Sequence, residues 1–196
     1  MMGVRGANRW SGCAWRATRT VLGLAVASLV LTGCSQPLPQ SVRLFCVPPR
    51  DSVESGVVLM AQAVPSARFV PCVDAYPAGW TLASFDARTG KVVMTFDSDR
   101  AGLAALTVTF AGTCQPQGSP KLSDELGVTI MREEVLGLKP NYKVNRYYRF
   151  RGGCMMFALD FRSGTNPTLA TDPSVMVHLI ERATIEAQVE KLGFTL

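Results

Sequence analysis

Histidine is almost absent from this chain: His178 is the only one. Most acid–base and nucleophilic mechanisms draw on histidine, so their usual layouts have at most one anchor here. No Gly-x-Ser-x-Gly turn, glycine-rich phosphate loop, dinucleotide fingerprint or Cys-x-x-Cys pair occurs. Apolar runs are short as well. The N-terminal one, residues 21–31 (VLGLAVASLVL), has 11 residues, where a bilayer-spanning helix needs about 20. Acidic residues are missing from the start: none precedes Asp51, whereas Arg5, Arg9, Arg16 and Arg19 do. Those four account for most of the formal charge of +5. Setting residues 1–33 aside leaves 16 basic against 15 acidic residues, a net +1. A chain with so balanced a charge creates no general field for polyanions, and nucleic acid is not an expected partner.

What is present at the N-terminus is ordered. Residues 1–20 are basic and rich in small residues, the apolar run follows, and Leu31-Thr32-Gly33-Cys34 closes it. The length suits the apolar region of an export signal. The four-residue close resembles the lipobox of bacterial lipoproteins, in which a small residue precedes the cysteine. The resemblance covers about the first 35 residues. It implies cleavage before Cys34, diacylglycerol (a palmitate-type anchor) on its sulfur, and a position on the outer face of the cell membrane. No Arg-Arg pair precedes the apolar run, which favours the general secretory route. Residues 34–41 then form the anchor and a proline-containing spacer, and 42–196 a single domain. That domain also resembles the uncharacterised lipoproteins of actinobacterial type, a likeness that implies no activity.

Of six cysteines, Cys13 falls in the export segment and Cys34 in the lipobox. Cys46, Cys72, Cys114 and Cys154 remain, an even number in an exported chain, which implies disulfides. Three pairings are possible. Cys46–Cys72 and Cys114–Cys154 are preferred, since the first brackets one local unit and the second the later strands. Structural zinc sites bring ligands in close pairs, and spacings of 26, 42 and 40 residues do not.

The patterning alternates between helix and strand periods. Residues 51–64 read as a helix on Val53, Val57, Met60, Ala61 and Val64, capped by Asp51 and stopped by Pro65. Residues 65–79, with three prolines, read as an irregular connection. Residues 80–87 and 91–97 read as strands around an Arg88-Thr89-Gly90 turn. Residues 102–110 alternate again, with Leu106, Val108 and Phe110 inward. Residues 111–126 read as a loop and 127–136 as a strand. Residues 144–151 and 154–161 flank Gly152-Gly153, a hairpin signal. Residues 173–191 read as a terminal helix, begun by Asp172 and Pro173, with Met176, Leu179, Ala183 and Ala187 as its apolar stripe. The expected fold is α+β: an antiparallel sheet of about six strands with an N-terminal and a C-terminal helix on one face, and two disulfides.

Few residues invite chemistry. His178 falls mid-helix in this reading, with no recognisable nucleophile motif, and is taken as structural. Asp97-Ser98-Asp99 has the opening of a calcium loop but is followed by Arg100 and an apolar run, so it reads as a solvated turn. Glu133-Glu134 lacks a matched carboxylate partner. The distinctive segment is 139–151 (KPNYKVNRYYRFR), with five cations and four aromatics in 13 positions. Lys139, Tyr142, Lys143, Arg146, Tyr147, Arg149 and Arg151 could bind anionic headgroups, glycan or another envelope component. On a strand, however, Arg146, Tyr148 and Phe150 share one face and Tyr147, Arg149 and Arg151 the other. Edge-strand cations also serve to block aggregation. No metal site or cofactor is expected.

The first expectation is therefore a non-enzymatic envelope module that binds another envelope protein, a cell-wall component or the membrane surface. An extracytoplasmic hydrolase or transferase would instead gather several of Asp86, Asp97, Asp99, Asp160 and His178 in one cleft. A small-ligand or lipid carrier would hold a large apolar cavity under the C-terminal helix.

Overall fold

A computed structural model describes residues 42–47, 54–115, 120–124 and 127–196. The expected export segment, the expected lipobox at Cys34, the expected spacer and the expected Asp51 cap lie outside the described residues. The elements run α1 (Ser55–Ala63), β1 (Phe69–Val73), β2 (Trp80–Arg88), β3 (Lys91–Ser98), β4 (Gly102–Ala111), β5 (Pro120–Ser123), β6 (Thr129–Met131), β7 (Glu134–Gly137), β8 (Lys143–Phe150), β9 (Gly153–Asp160), α2 (Asp172–Met176), β10 (Val177–Glu181) and α3 (Arg182–Lys191). The fold is α+β and mostly sheet. Seven strands follow the order β2-β3-β4-β9-β8-β6-β5, and β7 pairs with β8 on the edge that β6 also uses. All pairings in this sheet are antiparallel. A separate ribbon joins β1 to β10.

The strong alternation of β3, β4 and β9 produces one dry face and one wetter face. Val92, Met94 and Phe96 register against Phe110, Val108 and Leu106, and these against Met155, Phe157 and Leu159. All nine are buried. Full burial of a side chain of this size contributes about 1.5–3 kcal/mol, so this patch is the energetic centre of the domain. On the opposite face Thr95, Thr107 and Thr109 are half exposed.

Two irregularities keep the pattern in phase. In β2 the apolar residues Leu82 and Phe85 are three apart, an odd spacing that simple pleating would put on opposite faces. The register shifts between Leu82 and Ser84, and this bulge returns Phe85 to the core side. A second shift lies between Phe96 and Ser98. There Ala104 takes a left-handed backbone at φ 49°, alone among the non-glycine residues described. The Asp97 carboxylate holds it by accepting the Ala104 N–H at 2.7 Å.

The dry face is covered by short pieces. Helix α1 buries Val57, Met60 and Ala61 and meets β1, β2, β3 and α3. Gly56 sits where a Cβ would strike Leu44 and the Arg43 carbonyl, so α1 lies tight against the entering chain. β1 is wholly buried. Segment 44–46 lies along its other edge: Cys46 N–H donates to Val73 O at 2.9 Å, and Val73 N–H to Leu44 O at 2.7 Å. The Cys46–Cys72 disulfide closes this contact, and Cys114–Cys154 staples the wetter face beside Met131 and Tyr147.

Several expectations are corrected here. The large sheet, expected at about six strands, has eight among the described residues, and the β1-β10 ribbon is an addition. Residues 65–79 contain β1, and 111–126 contain β5. The position ahead of α1 is Glu54, which makes no side-chain cap bond. The expected helix 173–191 is broken into α2, β10 and α3, so His178 stands on a strand, opposite Cys72. β1 offers an unpaired edge, and the β-branched Val177 and Ile180 satisfy it better as a strand than as a helix. Asp172 is the first helical residue rather than its cap, and Ile185 and Val189 are the buried side of α3. The hairpin turn is Arg151-Gly152, because Gly153 already pairs with Phe150.

Arg182 locks the cover together. Its guanidinium donates to the carbonyls of Ala61 at 2.7 Å, Val64 at 2.6 Å and Ala67 at 2.7 Å, with the side chain only 15% exposed. It therefore satisfies the C-terminal carbonyls of α1 and opposes their negative dipole end. Arg182→Ala is expected to lower unfolding free energy by about 2–3 kcal/mol in chemical denaturation, with Arg182→Lys recovering only part, since an ammonium cannot match the planar fork. Ala104→Gly is expected to raise stability by roughly 0.5–1 kcal/mol by relieving the left-handed backbone, visible as a higher denaturation midpoint.

Candidate functional site

The distinctive basic and aromatic segment forms β8 and its flanking turns. Pairing with β9 on one side and with β6 and β7 on the other holds it inside the sheet rather than at an edge. Alternation sends Val144, Arg146, Tyr148 and Phe150 to the dry face, and Lys143, Asn145, Tyr147 and Arg149 to the other.

The structure divides the named residues into groups. Arg146 is 14% exposed, with its Nε 2.7 Å from Glu133 Oε1, and it also donates to Ala170 O and Ser174 Oγ. It bolts the sheet to α2 and the preceding turn. Lys143 Nζ lies 2.7 Å from Asp160. Tyr142 packs on Phe161, ring centroids 5.4 Å apart. Tyr147 is buried, and its O–H donates to Glu134 Oε2 at 3.0 Å, an oxygen that also accepts from Asn145 at 3.0 Å. Lys139, Arg149 and Arg151 are exposed. Lys139 lies beyond one end of β8 and Arg151 beyond the other, a separation of about 26 Å at ~3.3 Å per residue. The segment thus presents two separated exposed basic points, with Lys143 and Arg146 engaged by carboxylates between them. The carboxylates of Glu133 and Glu134 are the partners that sequence spacing did not disclose, because β6, β7 and β8 meet only through pairing.

The residues that an enzyme cleft would gather each have a local partner. Asp86 pairs with Arg88 at 3.0 Å, and Asp99 lies 3.7 Å from Arg100. Asp97 holds Ala104, and Asp160 holds Lys143. His178 is exposed, with Nε2 3.0 Å from the Val175 carbonyl. Among the described residues no group of three or more His, Cys, Asp or Glu could hold a metal ion. An open cleft of about 490 Å³ is lined by Asp99, Arg100, Arg162, Thr165 and Asn166. Its two arginines are engaged: Arg100 donates to Ala78 O and Asp172, and Arg162 donates to Asp99 O. Asp172 also accepts the Trp80 indole N–H at 2.9 Å.

No protein-family model matches the chain, and no curated protein matches it. A solved structure of a Bacteroides thetaiotaomicron VPI-5482 protein, at 1.50 Å resolution, is similar at 12% identity over 62% of this chain, with a TM-score of 0.33. The chain spans about half the length of that protein, 48%. A likeness at that level carries no argument about fold or function.

Burial pushes the Tyr147 phenol above its ordinary 10.0, and the hydrogen bond to Glu134 and the charge of that carboxylate push the same way, against a smaller opposing bond with Asn145. Burial raises Tyr76 as well. The folded state holds these protons more tightly than the unfolded chain. The contribution is therefore present below the ordinary tyrosine value and lost as pH rises through the folded one. Stability is expected to fall above about pH 10, the ordinary tyrosine value, and Tyr147→Phe to make that fall shallower. Denaturation midpoints across alkaline pH, with tyrosinate absorbance in parallel, check this; an unchanged slope in the variant would refute it.

Proposed function

We propose that this protein is a lipid-anchored extracytoplasmic lipoprotein whose domain works by binding at the cell envelope. The observation that carries the reading is the order of basic segment, 11-residue apolar run and Leu31-Thr32-Gly33-Cys34 at the N-terminus. Two acyl chains at about 0.8 kcal/mol per buried CH₂ make such an anchor stable where one is marginal. The pairing of Cys46 with Cys72 and of Cys114 with Cys154 agrees with it, since disulfides persist in oxidising compartments outside the cytoplasm. Among the described residues no helix is long and apolar enough to cross a membrane, and a thioether-linked lipid needs none. Binding is preferred to catalysis because Asp86, Asp97, Asp99, Asp160 and His178 each engage a local partner instead of facing one cleft.

The test is lipid labelling. With radiolabelled palmitate, the wild-type chain is expected to become labelled and to pellet with membranes. Cys34→Ala is expected to lose the label and to remain uncleaved. Label that survives the substitution, or a mature N-terminus elsewhere, would overturn the reading.

A further inference from the structure

Strand register places several distant residues at one end of the large sheet. Phe96 of β3 pairs with Leu106 of β4, Leu106 with Leu159 of β9, Leu159 with Val144 of β8, and Val144 with Val135 of β7. These five form one row across the sheet, about 19 Å wide at ~4.8 Å per strand. Beyond that row lie exposed large apolar side chains: Leu103, at the start of β4, is 84% exposed, and Leu138, just after β7, is 62% exposed. Val175 and Val47 reach the same end. β1 runs toward it from Phe69, which packs on Phe150 at the far end, and Val73 pairs with Val177 just past Val175. Phe45 packs on Tyr76 and Tyr76 on Phe96, which seats the 45–47 segment there. The far end is different: its two hairpin turns are Thr89-Gly90, since the expected turn residue Arg88 already pairs with Lys91, and Arg151-Gly152.

The chain leading back to Cys34 enters at the apolar end. Arg43 O accepts the Gly56 N–H at the start of α1, while Ala63 O at its finish accepts the Gly90 N–H at the far end. Eight residue steps separate Cys34 from Val42, a reach of at most about 28 Å. The far end lies roughly 26 Å away, one strand length, so facing it to the anchor would draw the tether almost taut at a large entropic cost. Leu103 is also held out by a strained backbone, with Ala104 at φ 49° and its N–H fixed by Asp97.

We infer that this end of the sheet docks on the lipid surface beside the anchor, with Leu103 and Leu138 dipping into the headgroup–acyl boundary and Val47 and Val175 alongside. This rests on the lipid-anchor reading and adds an orientation to it. The occupant is the bilayer of the anchor itself. Exposed apolar side chains sharing one end of the sheet match the shallow insertion, about 5–10 Å deep, of interfacial apolar groups. Exposed Lys139, next to Leu138, faces the phosphate level.

Tryptophan quenching by brominated lipid tests this. Of Trp10, Trp15 and Trp80, only Trp80 lies after Cys34, and at 3% exposed it is a constant background. The full chain, made in a bacterium that processes lipoproteins, is reconstituted in phosphatidylcholine–phosphatidylglycerol vesicles with and without acyl-chain bromine. Leu103→Trp, Leu138→Trp and, as far-end control, Thr89→Trp are compared, with near-ultraviolet circular dichroism confirming the fold of each. Roughly twofold quenching at 103 and 138, with none at 89, is the expected result. Equal quenching at all three positions on a chain whose mass includes the acyl group overturns the docking and leaves the anchor standing. A chain without the acyl mass that stays in the supernatant overturns both. Crosslinking between position-138 side chains of two copies in detergent, with no bromine quenching, assigns the surface to a second copy instead.

Discussion

An apolar sheet face has to be covered, and here no single element is large enough to do it. Val92, Met94, Phe96, Leu106, Val108, Phe110, Met155, Phe157 and Leu159 form one continuous dry surface. Helix α1 has nine residues, β1 and β10 five each, and α2 five. Elements so short are not stable by themselves. Their stability comes from the sheet beneath them and from ties between one piece and the next. Cys46–Cys72 ties the entering chain to β1, Arg182 ties α3 to the end of α1, and Arg146 ties β8 to α2.

This arrangement accounts for how the cations are used. Two arginines that a sequence reader would place on a surface are mostly buried and bonded to carbonyls, each within reach of a carboxylate. A guanidinium offers five donors in a fixed plane, so one side chain can satisfy several carbonyls left open where short elements end. Most other cations after residue 33 stay exposed, among them Arg68, Arg88 and Arg100, which pair with carboxylates at the surface.

The same construction separates the two ends of the sheet. At one end the turns are tight, polar and closed by glycine: Gly152 has φ 71°, and a Cβ there would meet the Ser66 carbonyl. At the other, a bulge and a left-handed alanine widen the β3–β4 connection and hold a leucine outward. The two ends of the sheet therefore differ in chemistry, one closed by polar turns and the other carrying the exposed Leu103 and Leu138.

The strands with strict alternation were legible from residues alone, as were the hairpins around Gly90 and Gly152 and the pairing of the four cysteines. In each case the signal is local, or the choices are few. The C-terminal element was not legible. Its apolar residues suit a helix or a strand equally, and the choice fell to β1, more than 100 residues away, whose open edge needed a partner. β1 itself was hidden by Pro71 and by burial on both faces, which erases alternation. In the basic segment, face and alternation were readable, but the partners Glu133, Glu134, Asp160 and Ala170 came from other strands and turns. The sequence by itself therefore determined the sheet's dry face, its staples and an expected lipid anchor, because period, parity and motif order are properties of neighbouring residues. Only the tertiary structure decided what covers that face, which cations are engaged and which loops share an end, because each depends on backbone groups brought together across the whole chain.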